Sequence, residues 1–304
     1  MPAAETPSPP EPPSFDATVI IPTLAEPSRR RSLLGAIDCV LRQQGVRALP
    51  LVVINGERYD RELRRELEAR TDIQVRYREP ASVTAAQAFG VEQVRTPYFA
   101  FLDDDDLFTE DALAHRIALM EATPAADFVV TNFYFERNGE RRLACDDIGI
   151  YAAEPAHSIF EFAWCSSVNT LFRTASVDAD FFRPKVPQME WTALGIRLAR
   201  ERRAVFSNRA TGIYVDTPDS ASKRSRHTES MIALMRSLRH DDLPHKTRRL
   251  IERKYVGGYH LLAQAALQSG RPLAAWRYHL HSLARPQGWR YLTFTRKLLW
   301  PRSR

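Results

Sequence analysis

The sequence has 304 residues, 44% hydrophobic and 26% charged, with a formal net charge of +6. That balance belongs to a globular protein able to bury a sizeable core, and it excludes a collagen-like or wholly disordered chain. The charge is uneven: residues 223–304 carry 18 Lys/Arg against 4 Asp/Glu, a net of +14, and the rest of the chain is net −8.

In chain order, residues 1–15 hold six prolines and no apolar stretch, which predicts a disordered leader rather than a signal peptide. Ala17 to Ile21 reads as a buried strand ended by Pro22. Leu33, Leu34, Ile37, Val40 and Leu41 recur at helical spacing, with Gly45 as the stop. Leu51 to Ile54 is a second buried strand, closed by Asn55-Gly56, and Leu63 with Leu67 marks a short charged helix. Ile73 to Tyr77 reads as a third strand, Val83 to Val94 as a small-residue helix, and Tyr98 to Leu102 as a fourth strand. Thr109 is placed to cap a helix carrying Leu113, Ile117 and Met120. Phe128 to Phe135 is a fifth strand, and Asn138-Gly139 signals a hairpin. Alternating strands and helices predict an α/β fold with a parallel sheet, whose ligands bind beyond the carboxyl ends of its strands.

The acidic body gives way to the basic region near Ser222, where Thr217-Pro218-Asp219-Ser220 precedes Lys223-Arg224-Ser225-Arg226. Three regions are expected: a leader (1–15), an α/β domain (16–222) and a basic helical region (223–304). In the last, Lys246 to Gln268 reads as one helix. Pro272 opens another, with Leu273, Trp276, Leu280 and Leu283 on one side. Gly288 to Trp300 mixes Trp289, Leu292, Phe294, Leu298, Leu299 and Trp300 with Arg290, Arg296 and Lys297. Such a segment suits either an anionic membrane interface or a bundle with a solvated basic face. Its basic residues lack a zinc-finger, RRM or KH context, so no nucleic acid is expected. No apolar run approaches the ~20 residues of a spanning helix. Cys39, Cys145 and Cys165 are far apart, without a CxxC pair, and sit among apolar residues. They read as core residues of a protein in a reducing compartment, here the cytoplasm, with peripheral attachment to the membrane face.

The sharpest chemical signal is Asp103-Asp104-Asp105-Asp106, directly after the fourth strand. Four successive carboxylates repel one another unless a cation sits among them, and oxygen ligands suit Mg²⁺ or Mn²⁺ shared with substrate phosphates. GxGxxG and GxxxxGK[ST] are absent, and so are HExxH and GxSxG, which leaves the acidic run as the candidate for holding a diphosphate. Arg29, Arg30 and Arg31 open the first helix beside it. They face phosphate, an acidic acceptor or solvent, and solvated surface is the expectation.

The blocks ATVIIPTLAE, LLGAIDCVLRQQG, PLVVING and PYFAFLDDDDLFTEDAL, in this order and spacing, resemble glycosyltransferase family 2. The later VNTLFRTASVDADFF and QMEWTALGIRLA resemble that family's acceptor-side segment, so the likeness spans about residues 16 to 222. The resemblance implies a GT-A fold, a Rossmann-like, mostly parallel sheet flanked by helices. It implies transfer of a sugar from a nucleotide-diphosphate donor to a saccharide or lipid-linked hydroxyl, with inversion. Asp103 and Asp105 match the DxD acids, which implies a Mn²⁺ or Mg²⁺ site at Asp105 assisted by Asp103. Pro22, Thr23, Glu26, Asn55, Asp103 and Asp104 fall where donor contacts lie, and Glu190 matches the general base. The sequence departs from the family at Ala25 (usually Asn), at Ile54 and Asn55 (usually an acidic pair), at Gln87 and Ala88 (usually Arg-Asn) and at Tyr214-Val215-Asp216 (often a metal-binding His).

The chemistry supports those roles independently. The leaving diphosphate needs positive charge, the attacking hydroxyl needs a proton acceptor, and the two must be held in line. Glu190 also suits a second role, as a first-turn carboxylate favoured by the helix dipole ahead of Trp191, Leu194 and Leu198. Two other functions fit less of the sequence. A nucleotidyltransferase would want a glycine-rich loop after the first strand, and Pro22 to Glu26 has no glycine. An inactive scaffold with a membrane-binding tail would leave the acidic run without a task.

Overall fold

A computed structural model describes residues 15–79, 81–183, 188–216, 225–239 and 241–299. The leader before Phe15, the expected boundary at Ser222 and Trp300 lie outside the described residues. The chain divides into two compact units. The first holds the described residues up to Gly149, with Ser167–Asp180 and Arg202–Val215; the second holds Ile150–Ser166, Phe181–Glu201 and the described residues from Asp216 onward.

The first unit is built on β1 (Ala17–Thr23), α1 (Arg30–Leu41), β2 (Ala48–Asn55), α2 (Arg61–Glu68), β3 (Gln74–Arg78), α3 (Val83–Gln93) and β4 (Tyr98–Phe101). It continues through β5 (Leu107–Phe108), α4 (Ala112–Ala122), β6 (Phe128–Arg137), β7 (Glu140–Leu143), β8 (Thr170–Arg173) and β9 (Ala204–Val215). Among the described residues these strands form one sheet in the order β3-β2-β1-β4-β8-β6-β9-β5, with β7 paired to β6. β3, β2, β1 and β4 run parallel, β8 is antiparallel to both neighbours, and β6 and β9 are parallel.

The parallel half forms because β1, β2 and β4 are apolar on both faces, with Val19, Ile20, Ile21 and Leu51 to Ile54 all fully buried, while the polar β3 closes the edge. Leu33, Ala36, Ile37 and Val40 make the buried stripe of α1. Pro22 does not end the first strand. β4 partners only Ala17–Ile20, so beyond Ile20 the strand has one continuing neighbour, β2, and Pro22 pairs there with Val53. Thr109 is not the cap of α4 either; Asp111 holds that position, and the Thr109 carbonyl accepts from the amide of Ala112. The β6–β7 turn is as expected, with Asn138 and Gly139 both at positive φ, 53° and 80°.

The second unit contains α5 (Pro155–Ser158), α6 (Glu190–Glu201), α7 (Ser225–Leu238), α8 (His245–Gln268), α9 (Pro272–Leu283) and α10 (Phe294–Leu299). α9 buries a face other than the one its exposed leucines share. Ala275, His279 and Ser282 are buried, whereas Leu273 and Leu280 are 86% and 57% exposed. Small residues explain the choice: Ala275 packs with Ala263 and Ala266 of α8 and with Phe294 and Leu298, a close approach that leucines would obstruct. Among the described residues no helix is long and apolar enough to cross a membrane.

Two histidines lie inside this bundle. His260 stacks on Tyr291 at 4.1 Å, and the His279 ring meets Phe294 at 5.4 Å while its Nε2 bonds Thr295 Oγ1 at 2.8 Å. Nδ1 of each is buried without a hydrogen-bond partner. Burial lowers the pKa of both; for His260 the charges of His279 and Lys297 act the same way. The unfolded chain therefore takes up these protons first, so stability falls as pH drops below the ordinary histidine value of ~6.5. Denaturant unfolding should show the helical unit losing stability between pH 8 and pH 5. Ring titration by NMR should place both histidines below ~6.5, and a value above it would count against this account.

Candidate active site

The acidic loop begins where the sheet stops pairing. The Leu102 amide donates to Ile20 at 3.0 Å, and the loop then turns back through a bond from the Asp106 amide to the Asp103 carbonyl at 3.1 Å. Asp103 and Asp106 are thereby sent to separate partners, whereas Asp104 and Asp105 share Arg29.

Asp103 accepts a bond from Ser167 Oγ at 2.8 Å. Ser167 is buried, and its neighbour Val168 is clamped from two sides. Arg116 Nη2 donates to the Val168 carbonyl at 2.5 Å, and Gly212 lies so close that an added Cβ would be 2.2 Å from that oxygen. Arg116 is fully buried, and burial pushes its guanidinium down to about 9. Asp104 accepts from Thr23 Oγ1 at 2.5 Å and from Arg29 Nη1 at 3.3 Å. Burial raises the Asp104 pKa against the opposing pull of Thr23 and Arg29. Asp105 accepts from Arg29 Nη1 at 2.5 Å. Asp106 is 2% exposed; one oxygen accepts the Val215 amide at 2.9 Å and the other is buried without a partner. Burial, then the charge of Asp103, holds its carboxyl well above the usual carboxylate range.

The arginines at the start of α1 divide. Arg29 is not solvated surface: it bridges Asp104 and Asp105. Arg30 pairs with Glu66, and Arg31 is exposed. For Arg29 burial works to lower the pKa, but the Asp105 hydrogen bond and the neighbouring acids outweigh it and leave the pKa raised.

The other candidate residues occupy varied settings. Thr23 is at the end of β1, where its Oγ1 also accepts the Ala25 amide at 2.9 Å. Ala25 adopts φ +48°, a left-handed conformation that Asn tolerates better than Ala. Glu26 pairs with Arg58 at 3.3 Å. Asn55 is buried at the end of β2, and its Oδ1 accepts the Ser82 amide at 2.9 Å, ahead of α3. Gln87 and Ala88 are buried on α3. Glu190 belongs to the second unit, as the first residue of α6; it is half-buried and accepts the Gln188 amide at 2.7 Å.

Among the described residues no group of three or more His, Cys, Asp or Glu side chains converges as a metal cage. A Mg²⁺ or Mn²⁺ ion shared with substrate phosphates needs only one or two protein carboxylates. The oxygen-only donors, the unpartnered oxygen of Asp106 and the excess of carboxylates over Arg29 fit a divalent cation.

The sequence pattern of residues 18–177 matches the model of glycosyl transferase family 2. The chain belongs to that family. It is a glycosyltransferase of GT-A fold, acting with a nucleotide-sugar donor. A comparison with curated proteins finds no match. Among solved structures, the chain is similar to residues 1–349 of S. aureus TarS in complex with UDP-GlcNAc, at 14% identity and a TM-score of 0.61 over 90% of this chain and 82% of that one. It is also similar to the mannosyltransferase PcManGT from Pyrobaculum calidifontis in complex with GDP-Man and Mn²⁺, at 15% identity and a TM-score of 0.53 over 98% and 92%. At such identities the likeness concerns the fold.

Proposed function

We propose that this glycosyltransferase is metal-assisted and inverting, and that its acceptor is a saccharide or lipid-linked hydroxyl presented at an anionic membrane surface. The carrying observation is the acidic loop at the carboxyl end of β4, where Asp105 meets a half-buried guanidinium and Asp106 keeps an unpartnered oxygen. Asp105, assisted by Asp103, would hold Mn²⁺ or Mg²⁺. When bound, the cation supplies positive charge against the diphosphate as it leaves. Pro22, Thr23, Glu26, Asn55, Asp103 and Asp104 line the donor side: Thr23 fixes Asp104, and Ser167 fixes Asp103 through its hydroxyl. Glu190 removes the proton from the acceptor hydroxyl. In this reading residues 16–222 are catalytic and 223–304 serve docking, in the cytoplasm at the membrane face. Mn²⁺ bound with GDP-Man in PcManGT lends support to the metal.

A thermal-shift screen tests the donor reading. UDP or GDP should raise the melting temperature with Mn²⁺ present and much less with EDTA, by mass action. Equal shifts with and without metal would overturn metal assistance.

Membrane docking rests on the +14 charge of residues 223–304 and on exposed apolar residues there. Leu273, Leu280, Trp289, Leu292 and Leu299 are each more than half exposed, beside Arg290, Arg296 and Lys297. Co-sedimentation with anionic vesicles should weaken, without vanishing, as salt rises from 0.1 M to 1 M and the Debye length drops from ~10 to ~3 Å. Replacing Arg290, Arg296 and Lys297 by Gln should mimic that loss and spare donor hydrolysis. No sedimentation even at low salt would make the surface a partner site instead.

A further inference from the structure

We propose that Arg29 is a built-in counter-cation of the donor site, which holds Asp105 until a divalent cation takes that carboxylate and then pairs with the donor's diphosphate. The inference rests on the reading above, that cation and diphosphate meet at Asp105.

The backbone fixes where Arg29 starts. It closes the short turn Pro27–Arg29 ahead of α1, and its amide donates to the Glu26 carbonyl at 2.9 Å. The loop before it is tied down by the bond from the Ala25 amide to Thr23 and by the Asp60 amide on the Ala25 carbonyl. The side chain is less confined, at 32% exposed. One guanidinium nitrogen reaches Asp105 at 2.5 Å and Asp104 at 3.3 Å.

Those two contacts have different fates when a metal binds. Asp105 is the more open carboxylate, 20% exposed against 12% for Asp104, and it is held by Arg29. Asp104 is already committed to Thr23 at 2.5 Å. A divalent cation on Asp105 repels the guanidinium and takes its partner. Asp104 remains as a tether, so Arg29 turns about it rather than leaving for solvent. The anion that arrives with the metal is the diphosphate, and a planar guanidinium fork matches phosphate oxygens. Asp104 thus gains a task of its own: held by Thr23, it keeps Arg29 within reach of both partners.

The proposal requires opposite effects on two ligands. Mn²⁺ binding to the free enzyme, followed by EPR, should be ~10-fold tighter in Arg29→Gln than in the wild type, because the competitor is gone. UDP and GDP affinity at saturating Mn²⁺, followed by calorimetry, should be ~10-fold weaker in the same variant, the scale of one lost charge-assisted hydrogen bond. Misfolding would weaken both. Arg30→Gln, which removes the Glu66 pair only, should change neither. Mn²⁺ affinity in Arg29→Gln that is unchanged, weaker or undetectable would overturn the proposal, as would undiminished diphosphate affinity. Asp105→Ala separates this from the reading beneath it: wild-type Mn²⁺ affinity in that variant would remove the metal site itself, whereas loss of Mn²⁺ there with no gain in Arg29→Gln removes only the role of Arg29.

Discussion

Asp105→Ala should fold normally and lose metal-dependent transfer. Asp105 is partly exposed, and it bonds an arginine that still has Asp104 within reach, so little of the fold depends on it. The catalytic cost is much larger. A divalent cation contributes several kcal/mol to stabilising a departing diphosphate, and each ~1.4 kcal/mol is tenfold in rate. Turnover should therefore fall at least ~10³-fold, and the Mn²⁺-dependent part of UDP or GDP binding should disappear. Circular dichroism and melting temperature should stay near those of the wild type. A folded variant with undiminished Mn²⁺-dependent turnover would show that the metal, if used, is held elsewhere.

The parallel half of the fold is legible because β1, β2 and β4 are short apolar runs and α1 and α4 carry apolar residues at helical spacing. β1 to β4 and α1 to α4 fall within a few residues of their expected places. β6 and its hairpin turn are legible too, but β8 and β9 are not. β8 is only four residues, and β9 is interrupted by the polar block Ser207-Asn208-Arg209 and passes register shifts between Thr131 and Phe133 of β6. Neither has the long apolar run that marks a buried strand. Arg116 left a trace that could have been read. It lies on the same stripe of α4 as Leu113, Ile117 and Met120, and a charge on an apolar stripe signals a buried polar contact.

The acidic run announced itself, but the fate of each carboxylate depends on residues 75 or more positions away for Asp104 and Asp105, and 64 for Asp103. Spacing carries no information at that range. Ser167 lies in an irregular segment without periodicity, and Arg29 looked like one of three equivalent surface cations. The buried face of α9 was hidden for a different reason. Hydrophobicity favours the leucines as the inner face, whereas close helix approach favoured alanine and serine.

Glu190→Gln should keep the shape of the α6 terminus and lose the proton acceptor. Its carboxylate accepts the amide of Gln188, a residue at φ +63°, and a glutamine carbonyl can accept that same bond. Local structure should therefore survive, as should Mn²⁺ and donor affinity. Turnover should fall by ~10²–10⁴-fold, the usual worth of general base catalysis. If the carboxylate merely stabilises the first turn of the helix, the result is different: Glu190→Gln would shift the melting temperature and leave turnover per folded molecule unchanged. The pH profile gives a second discriminator, because loss of the base removes the rise in turnover on its acidic limb and loss of a helix-dipole contact does not. The anomeric configuration of the product tests the mechanism as a whole. A single displacement, with Glu190 deprotonating the acceptor as it attacks, inverts the donor's anomeric carbon. A retained configuration would require a double displacement or a front-face path and would remove Glu190 from this role, whatever the variant's rate.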